Sequence, residues 1–368
     1  MRDESNKNLK NDKVLNRREF IKFLGVIQLG TLGIYSQELF SQDKYDFNLN
    51  NTNFIPQNNE NLQIINPPCL KSGDSVAFTA PASPVSKWQI NKYINYFKSK
   101  GCNVIVCDSI LNQKNEHRYL SGSDKERADE LNNLFNSKKV KAIICGRGGY
   151  GVMRILDLLD YDALRKYPKI VMGYSDITAL LLAIYRRSGI VTYHGPVGSS
   201  NLTNEHQDNM NKVLFSNKNV KYSIPDMKTI YKGEASGILQ GGNLTLITST
   251  MGTNYGIDNK SALLFIEDVS ILVHEFDRML NQLLLSNKLK NCKGIIFGKM
   301  KGLNKRGNFF PNKTYTMLEI MTEITSNLNV PVVYDVPFGH IQSSIILPIG
   351  LDAYLNTEKK YIEFSKKI

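Results

Sequence analysis

The chain has 368 residues, long for one domain and comfortable for two. Hydrophobic residues make up 42% and charged residues 22%, the balance of a globular protein, and a mean hydropathy of −0.28 excludes a multi-spanning membrane protein. The net charge of +12 is spread along the chain without a dense basic run, so it reads as a solvated basic surface, with attraction to an anionic cell-wall polymer as the sharper alternative; nucleic acid is not expected as a partner.

Residues 1–22 are polar and basic and lead into "NRREFIKFLGVIQLGTLGIYSQ". Arg17 and Arg18, followed by Glu19, Phe20, Ile21 and Lys22, resemble a twin-arginine export signal, and the apolar run 23–35 is too short to span a bilayer. Residues 1–36 are therefore read as a signal peptide, the protein as exported to the periplasm, and the processed chain as holding no stable membrane insertion. The alternative is a basic tail before a small amphipathic helix, which leaves the protein cytoplasmic. Residues 37–63, rich in Asn, Gln and Asp, suit a disordered linker.

From Asp74 onward, "DSVAFTA", "NVIVCD", "VKAIICG" and "KIVMG" read as buried strands, continuous in Val and Ile rather than alternating. Helical stretches separate them. One closes at Gly101, and another opens with the capping-box spacing Ser123–Glu126. This β-α-β alternation predicts a mostly parallel sheet covered by helices. The pattern weakens over 199–235, where one helix and an irregular connection are expected. Beyond it, "ALLFIEDV", "HEFDRMLNQLLLSNKL", "CKGIIFGKM" and the strand-rich C-terminal part predict a smaller α/β domain. The five cysteines include no CxxC pair, so neither a disulfide framework nor a zinc site is expected. Cys102, Cys107 and Cys145 lie in or beside strand-like runs and read as small buried hydrophobes.

Ser175 lies in "IVMGYSDITALLLAIY", at the joint between a strand and a helix. There it either caps the helix or acts as a nucleophile, with the N–H of Asp176 as a natural oxyanion donor. Upstream, "CGRGGYG" (145–151) places a glycine cluster after a parallel strand, at the carboxyl edge where open α/β sheets bind ligands. It lacks both GxGxxG spacing and a P-loop lysine. Among the histidines, His206 reads as exposed, His117 precedes a helix, His274 begins one, and His194 in "TYHGP" is core or site. His340 follows Gly339 in a loop between strand-like runs, where functional residues concentrate. The carboxylate that orients such a base is Glu267 or Asp268, at the end of "LLFIEDV".

Together these segments resemble the serine LD-carboxypeptidase family, whose best-known members are murein tetrapeptide carboxypeptidases. The resemblance runs in order from about Lys71 through "YLSGSDKERADELNNLF", "VKAIICGRGGYGVMRILDLLDY", "VMGYSDITALL", "YHGP", "LQGGNLTLI", "LLFIEDV", "FDRMLNQL" and "FGHIQSSIILPIGLDA". It implies a triad of Ser175 as nucleophile, Glu267 orienting the base and His340 as general base. Gly148, Gly149 and the N–H of Asp176 would form the oxyanion hole, while Arg147 and Asn243 would either meet the peptide or serve the scaffold. The implied fold is a flavodoxin-like N-terminal domain (64–205), a connection (206–235) and a smaller C-terminal α/β domain (236–368), with the active site in the groove between them. The implied reaction releases terminal D-Ala from murein tetrapeptide without metal or cofactor, and a homodimer is a family-level expectation. The family often has an aromatic residue where His274 stands. Alternative readings are a relative cleaving acyl-adenylate antibiotic conjugates, a non-enzymatic peptidoglycan-binding protein, and a nucleotide-binding regulator on the same fold.

Overall fold

The computed structural model describes residues 62–112, 118–258, 260–302 and 314–366; the export signal, most of the linker and His117 lie outside the described residues. The four Val/Ile-rich runs form β1 (Ser75–Thr79), β2 (Asn103–Val106), β3 (Val140–Cys145) and β4 (Ile170–Gly173). With β5 (Thr192–His194) they build a parallel sheet in the order β5-β4-β3-β1-β2. Every residue of β4 is buried, and all of β3 but Lys141, as a sheet covered on both faces requires. The predicted caps are present. Gly101 takes φ +77° after the helix Lys87–Ser99, and Ser123 exchanges hydrogen bonds with Glu126 at 3.2 and 2.8 Å to open the helix Asp124–Asn136. The buried Lys169 closes that helix by donating to the carbonyls of Leu134, Phe135 and Ser137. Cys102, Cys107 and Cys145 are buried free thiols.

From β1 the chain runs first to β2 on one side and then to β3 on the other. The strand order therefore reverses between β1 and β3, and the crevice outside their carboxyl ends is the expected ligand position. The glycine loop leaves β3 at this point.

The second sheet has a parallel centre of β8 (Glu234–Asn243), β9 (Ala262–Glu267), β10 (Gly294–Gly298) and β11 (Val332–Val336). Antiparallel β13 (Asp352–Asn356), β14 (Tyr361–Phe364) and β6 (Val220–Ser223) extend one side, and β7 (Lys228–Tyr231) closes the other.

Three features stand apart from the β-α-β pattern read in the sequence. The run after Gly151 is a 3₁₀ helix, Val152–Leu158, with Val152 and Ile155 buried at the three-residue spacing of that tighter form. The connection expected to be irregular carries β6 and β7 as well as the helix Asn204–Leu214. Finally β12 (Leu347–Ile349), from the C-terminal part of the chain, joins the first sheet antiparallel to β5, with Leu347 opposite His194.

The helix Ile177–Ser188 joins the two sheets. All its residues except Arg186 and Arg187 are buried, as befits a helix between layers. At the end of β8, the Asn243 N–H donates to Thr178 Oγ1 at 3.1 Å. Gly242 stands so close to this helix, with φ +139°, that a Cβ there would meet Thr178 Cγ2 at 2.5 Å. Each fully buried leucine of the helix contributes about 1.5–3 kcal/mol by leaving water. Among the described residues no helix is long and apolar enough to cross a membrane.

Candidate active site

β4 ends at Gly173 and the helix begins at Ile177, leaving Tyr174, Ser175 and Asp176 to make the turn. Ser175 has φ +66°. Left-handed backbone at a non-glycine residue costs about 1–3 kcal/mol and persists only where its surroundings over-determine it. A helix N-cap usually takes extended backbone; here the N-cap position belongs to Asp176, in right-handed helical geometry (φ −52°, ψ −28°) with no side-chain capping bond. The conformation of Ser175 is thus that of a strained strand-to-helix turn, not of a cap.

Its surroundings account for the strain. The Ser175 carbonyl accepts the Thr178 N–H at 2.9 Å. The Asp176 carboxylate accepts the Val152 N–H at 2.9 Å, tying the turn to the exit of the glycine loop. Burial pushes the Asp176 carboxyl up to about 6, with the Val152 N–H and Arg127 pulling the other way. The backbone N–H of Asp176 sits at the helix start, where amides have no intrahelical acceptor.

Gly148 lies directly against the serine. A Cβ there would come within 2.7 Å of Ser175 Cβ and 2.9 Å of Oγ. Gly148→Ala is therefore expected to fold normally and to lose about a hundredfold or more in kcat, because a displacement of this size misaligns a reacting group. Steady-state kinetics beside a circular dichroism spectrum checks it, and an unchanged kcat contradicts the packing argument. Gly149 has φ +108° and abuts Ser83, whose N–H donates to the Gly148 carbonyl at 3.2 Å and whose Oγ accepts the Tyr150 N–H at 3.1 Å. Arg147 is exposed, 3.4 Å from the Pro84 carbonyl. The buried Arg127, which the sequence reading passed over, donates to the carbonyls of Pro81, Gly122 and Gly151 and so fastens the loops of this edge together.

The second half of the site comes from the other sheet. Glu267 ends β9 and is fully buried. His340 lies on the connection from β11 to β12, and its Nδ1–H donates to Glu267 Oε2 at 2.7 Å. That bond leaves Nε2 as the basic atom. Gly339 makes the approach possible: with φ +92°, a Cβ there would lie 2.4 Å from Glu267 Oε2. The His340 ring stands edge-on to Tyr174, centroids 4.6 Å apart, beside the Ser175 turn. Burial by itself would push the Glu267 carboxyl up, but the facing imidazoles of His194 and His340 outweigh it and hold the group below the usual carboxylate range.

Asp268 is engaged elsewhere. It accepts from the Thr245 N–H and hydroxyl at 2.8 Å each, from Val269 N–H at 2.7 Å and from Asn243 Nδ2 at 3.1 Å. Of the two carboxylates, Glu267 is the one bonded to His340. Asn243 pairs with Glu267 across the β8–β9 ladder, and its Oδ1 caps the short helix Leu244–Ser249 through the Leu246 N–H at 3.3 Å. It is buried.

The remaining histidines divide. His274 is exposed at the start of the helix Val273–Leu285. His206, expected to be exposed, is buried instead. Its helix turns it onto the His340–β12 connection, where Nδ1–H donates to the Asn201 carbonyl at 2.7 Å and Nε2 accepts the Ser344 N–H at 3.0 Å. Burial lowers its proton affinity below that of an ordinary histidine. The unfolded chain therefore binds this proton first as pH falls, and the stability that neutral His206 supplies is present above the unfolded pKa of about 6.5 and lost below it. The urea midpoint is expected to drop between pH 7.5 and pH 5.5, and to drop less in His206→Gln.

The family model of the LD-carboxypeptidase N-terminal domain matches residues 76–195, and that of the C-terminal domain matches residues 236–355. A Bacillus subtilis (strain 168) protein named "Probable murein peptide carboxypeptidase" is 35% identical over 303 residues, covering 80% of this chain and 92% of the relative. The microcin C7 self-immunity protein MccF of Escherichia coli is 27% identical, covering 80% of this chain and 95% of its own length. Among solved structures, the muramoyltetrapeptide carboxypeptidase from Oxalobacter formigenes superposes with a TM-score of 0.68 at 28% identity, over 79% of this chain and 97% of that one.

Proposed function

Because the chain belongs to the LD-carboxypeptidase family, and is accordingly a serine carboxypeptidase hydrolase, we propose that it releases the terminal D-Ala of murein tetrapeptide, with Ser175, Glu267 and His340 as its catalytic residues. The observation that carries this reading is the 2.7 Å bond tying His340 to the fully buried Glu267 beside the strained Ser175 turn.

The chemistry follows from the roles. Ser175 Oγ attacks the carbonyl of the L,D-peptide bond while His340 Nε2 takes its proton. Anionic Glu267 stabilises the imidazolium so formed. The oxyanion is received by backbone N–H groups at the helix start and the glycine loop, those of Asp176, Gly148 and Gly149. His340 then gives its proton to the departing amine, D-Ala leaves, and water activated by the same base hydrolyses the acyl-serine. The exposure of Arg147 beside the glycine loop supports a role for it in meeting the peptide.

Substrate choice is tested by offering the purified protein tetrapeptide, pentapeptide and an acyl-adenylate conjugate in parallel, with products identified by mass. Preferential loss of D-Ala from tetrapeptide supports the reading; preferential cleavage of the conjugate overturns it. The Arg17–Arg18 pair and the apolar run after it further support action outside the cytoplasm, on murein in place. Changing both arginines to lysine is expected to hold the protein in the cytoplasmic fraction, and unchanged export removes the twin-arginine route.

A further inference from the structure

His194 is buried at the end of β5, in register with Gly173, the last residue before the Ser175 turn. Its ring is enclosed by Phe265 and Phe338, both edge-on at 5.4 and 6.2 Å, and by Tyr174 at 6.2 Å. Among the described residues neither ring nitrogen has a hydrogen-bond partner. A buried imidazole with both nitrogens unsatisfied is costly, and such a group in a folded protein calls for an explanation, a catalytic role among them. Its nearest charged neighbour is the catalytic carboxylate: Nε2 lies 3.6 Å from Glu267 Oε1, while His340 occupies Oε2 at 2.7 Å. At 3.6 Å the contact is electrostatic rather than a hydrogen bond. Glu267 is thus flanked by one imidazole on each oxygen, with Asn243 Nδ2 donating a long hydrogen bond to Oε1 at 3.4 Å.

We infer that His194 is a positioning residue for the reaction: its Nε2–H faces the second oxygen of Glu267 and fixes the direction and charge of the carboxylate on which His340 depends. An N–H dipole facing Oε1 draws negative charge away from Oε2 and moderates how strongly Glu267 holds the His340 proton. The base then stays free to accept from Ser175 and still releases its proton to the leaving amine. The polar groups that bear on this arrangement are Glu267 and Asp268 at the end of β9, His340 on its connection, Tyr174 from the serine turn and Asn243 from β8; from β12, the residue opposite His194 is apolar Leu347.

This inference rests on the reading of His340 as general base, so the test includes an arm that needs no substrate. The downfield proton resonance of the His340 Nδ1–H, assigned by its loss in His340→Asn, is followed against pH in wild type, His194→Phe, His194→Gln and His194→Asn, beside kcat and KM. Gln places an amide N–H where Nε2 stands, whereas Asn reaches only the Nδ1 position. In His194→Phe and His194→Asn the titration midpoint is expected to rise by about half a pH unit or more, since the N–H dipole facing the carboxylate is gone. kcat should fall about tenfold with KM within about twofold, the loss expected for one interaction with a charged group. His194→Gln should restore both readouts. Wild-type titration and kcat in all three variants overturn the inference, and so does a Gln variant no better than Asn at equal melting temperature. Should His194→Phe fail to fold, the comparison of Gln with Asn decides alone. If the resonance behaves as expected but wild-type enzyme releases no D-Ala, the proposed substrate fails and the positioning role stands.

Discussion

Ser175→Ala is expected to lower kcat for D-Ala release by about 10⁴–10⁶, to the background left by binding and oxyanion stabilisation. Fold and substrate affinity should survive, because Ser175 is half-buried and removal of one oxygen opens no large cavity. The strain at φ +66° adds a second, independent expectation. Ser175→Gly relieves the left-handed penalty as well as removing the nucleophile, so it should be inactive and yet more stable by about 1 kcal/mol. Inactivity with raised stability is the signature of a residue kept in an unfavourable conformation for its chemistry. Chemical denaturation of the three proteins, with parallel kinetics, measures both. Retained activity in Ser175→Ala removes the nucleophile assignment, and a Gly variant less stable than wild type removes the strain argument.

Glu267→Gln is expected to cost about 10³–10⁴ in kcat with little change in KM. The amide keeps the shape of the side chain and its carbonyl can still accept the His340 Nδ1–H. It cannot supply the negative charge that stabilises the imidazolium formed as Ser175 attacks. With its counter-ion gone, His340 gives up its proton more readily, so the acid limb of the pH–rate profile should move to lower pH. This is the opposite direction from the shift expected for His194→Phe, where the charge felt by His340 grows. Asp268→Asn serves as the comparison: that carboxylate is bonded to Thr245, Val269 and Asn243, so its loss should act on stability before catalysis. Equal kinetic losses in the two variants, with the same pH limb, contradict the assignment of Glu267.

What was legible in the sequence divides along physical lines. Continuous Val/Ile runs announce strands buried on both faces, and β1, β3 and β4 are largely buried as that reading requires; β2, read the same way, is instead an edge strand with Asn103 and Ile105 exposed, so only its parallel pairing was legible. The same property hid the choice between Glu267 and Asp268. β9 is buried throughout, so strand alternation does not say which carboxylate faces the histidine. His206 was misread because its neighbours in sequence are polar. The signal was its spacing: His206, Met210, Val213 and Leu214 recur at helical intervals and form the buried face. β6 likewise carried a readable pattern, with Val220 and Tyr222 inward and Lys221 and Ser223 outward, but four residues make a weak period. The return of β12 to the first sheet had no local signal, because pairing between Leu347 and His194 depends on distant chain. That crossing is what carries His340 from the second sheet toward the serine turn, so the approach of the base to the nucleophile is a property of topology rather than of any motif.

The account stands most directly on one measurement: purified full-length protein and its Ser175→Ala variant, each incubated with defined murein tetrapeptide and followed by mass spectrometry. Conversion to tripeptide with free D-Ala by the wild type alone is the predicted result. Intact tetrapeptide in both samples, or equal D-Ala release by both, contradicts it.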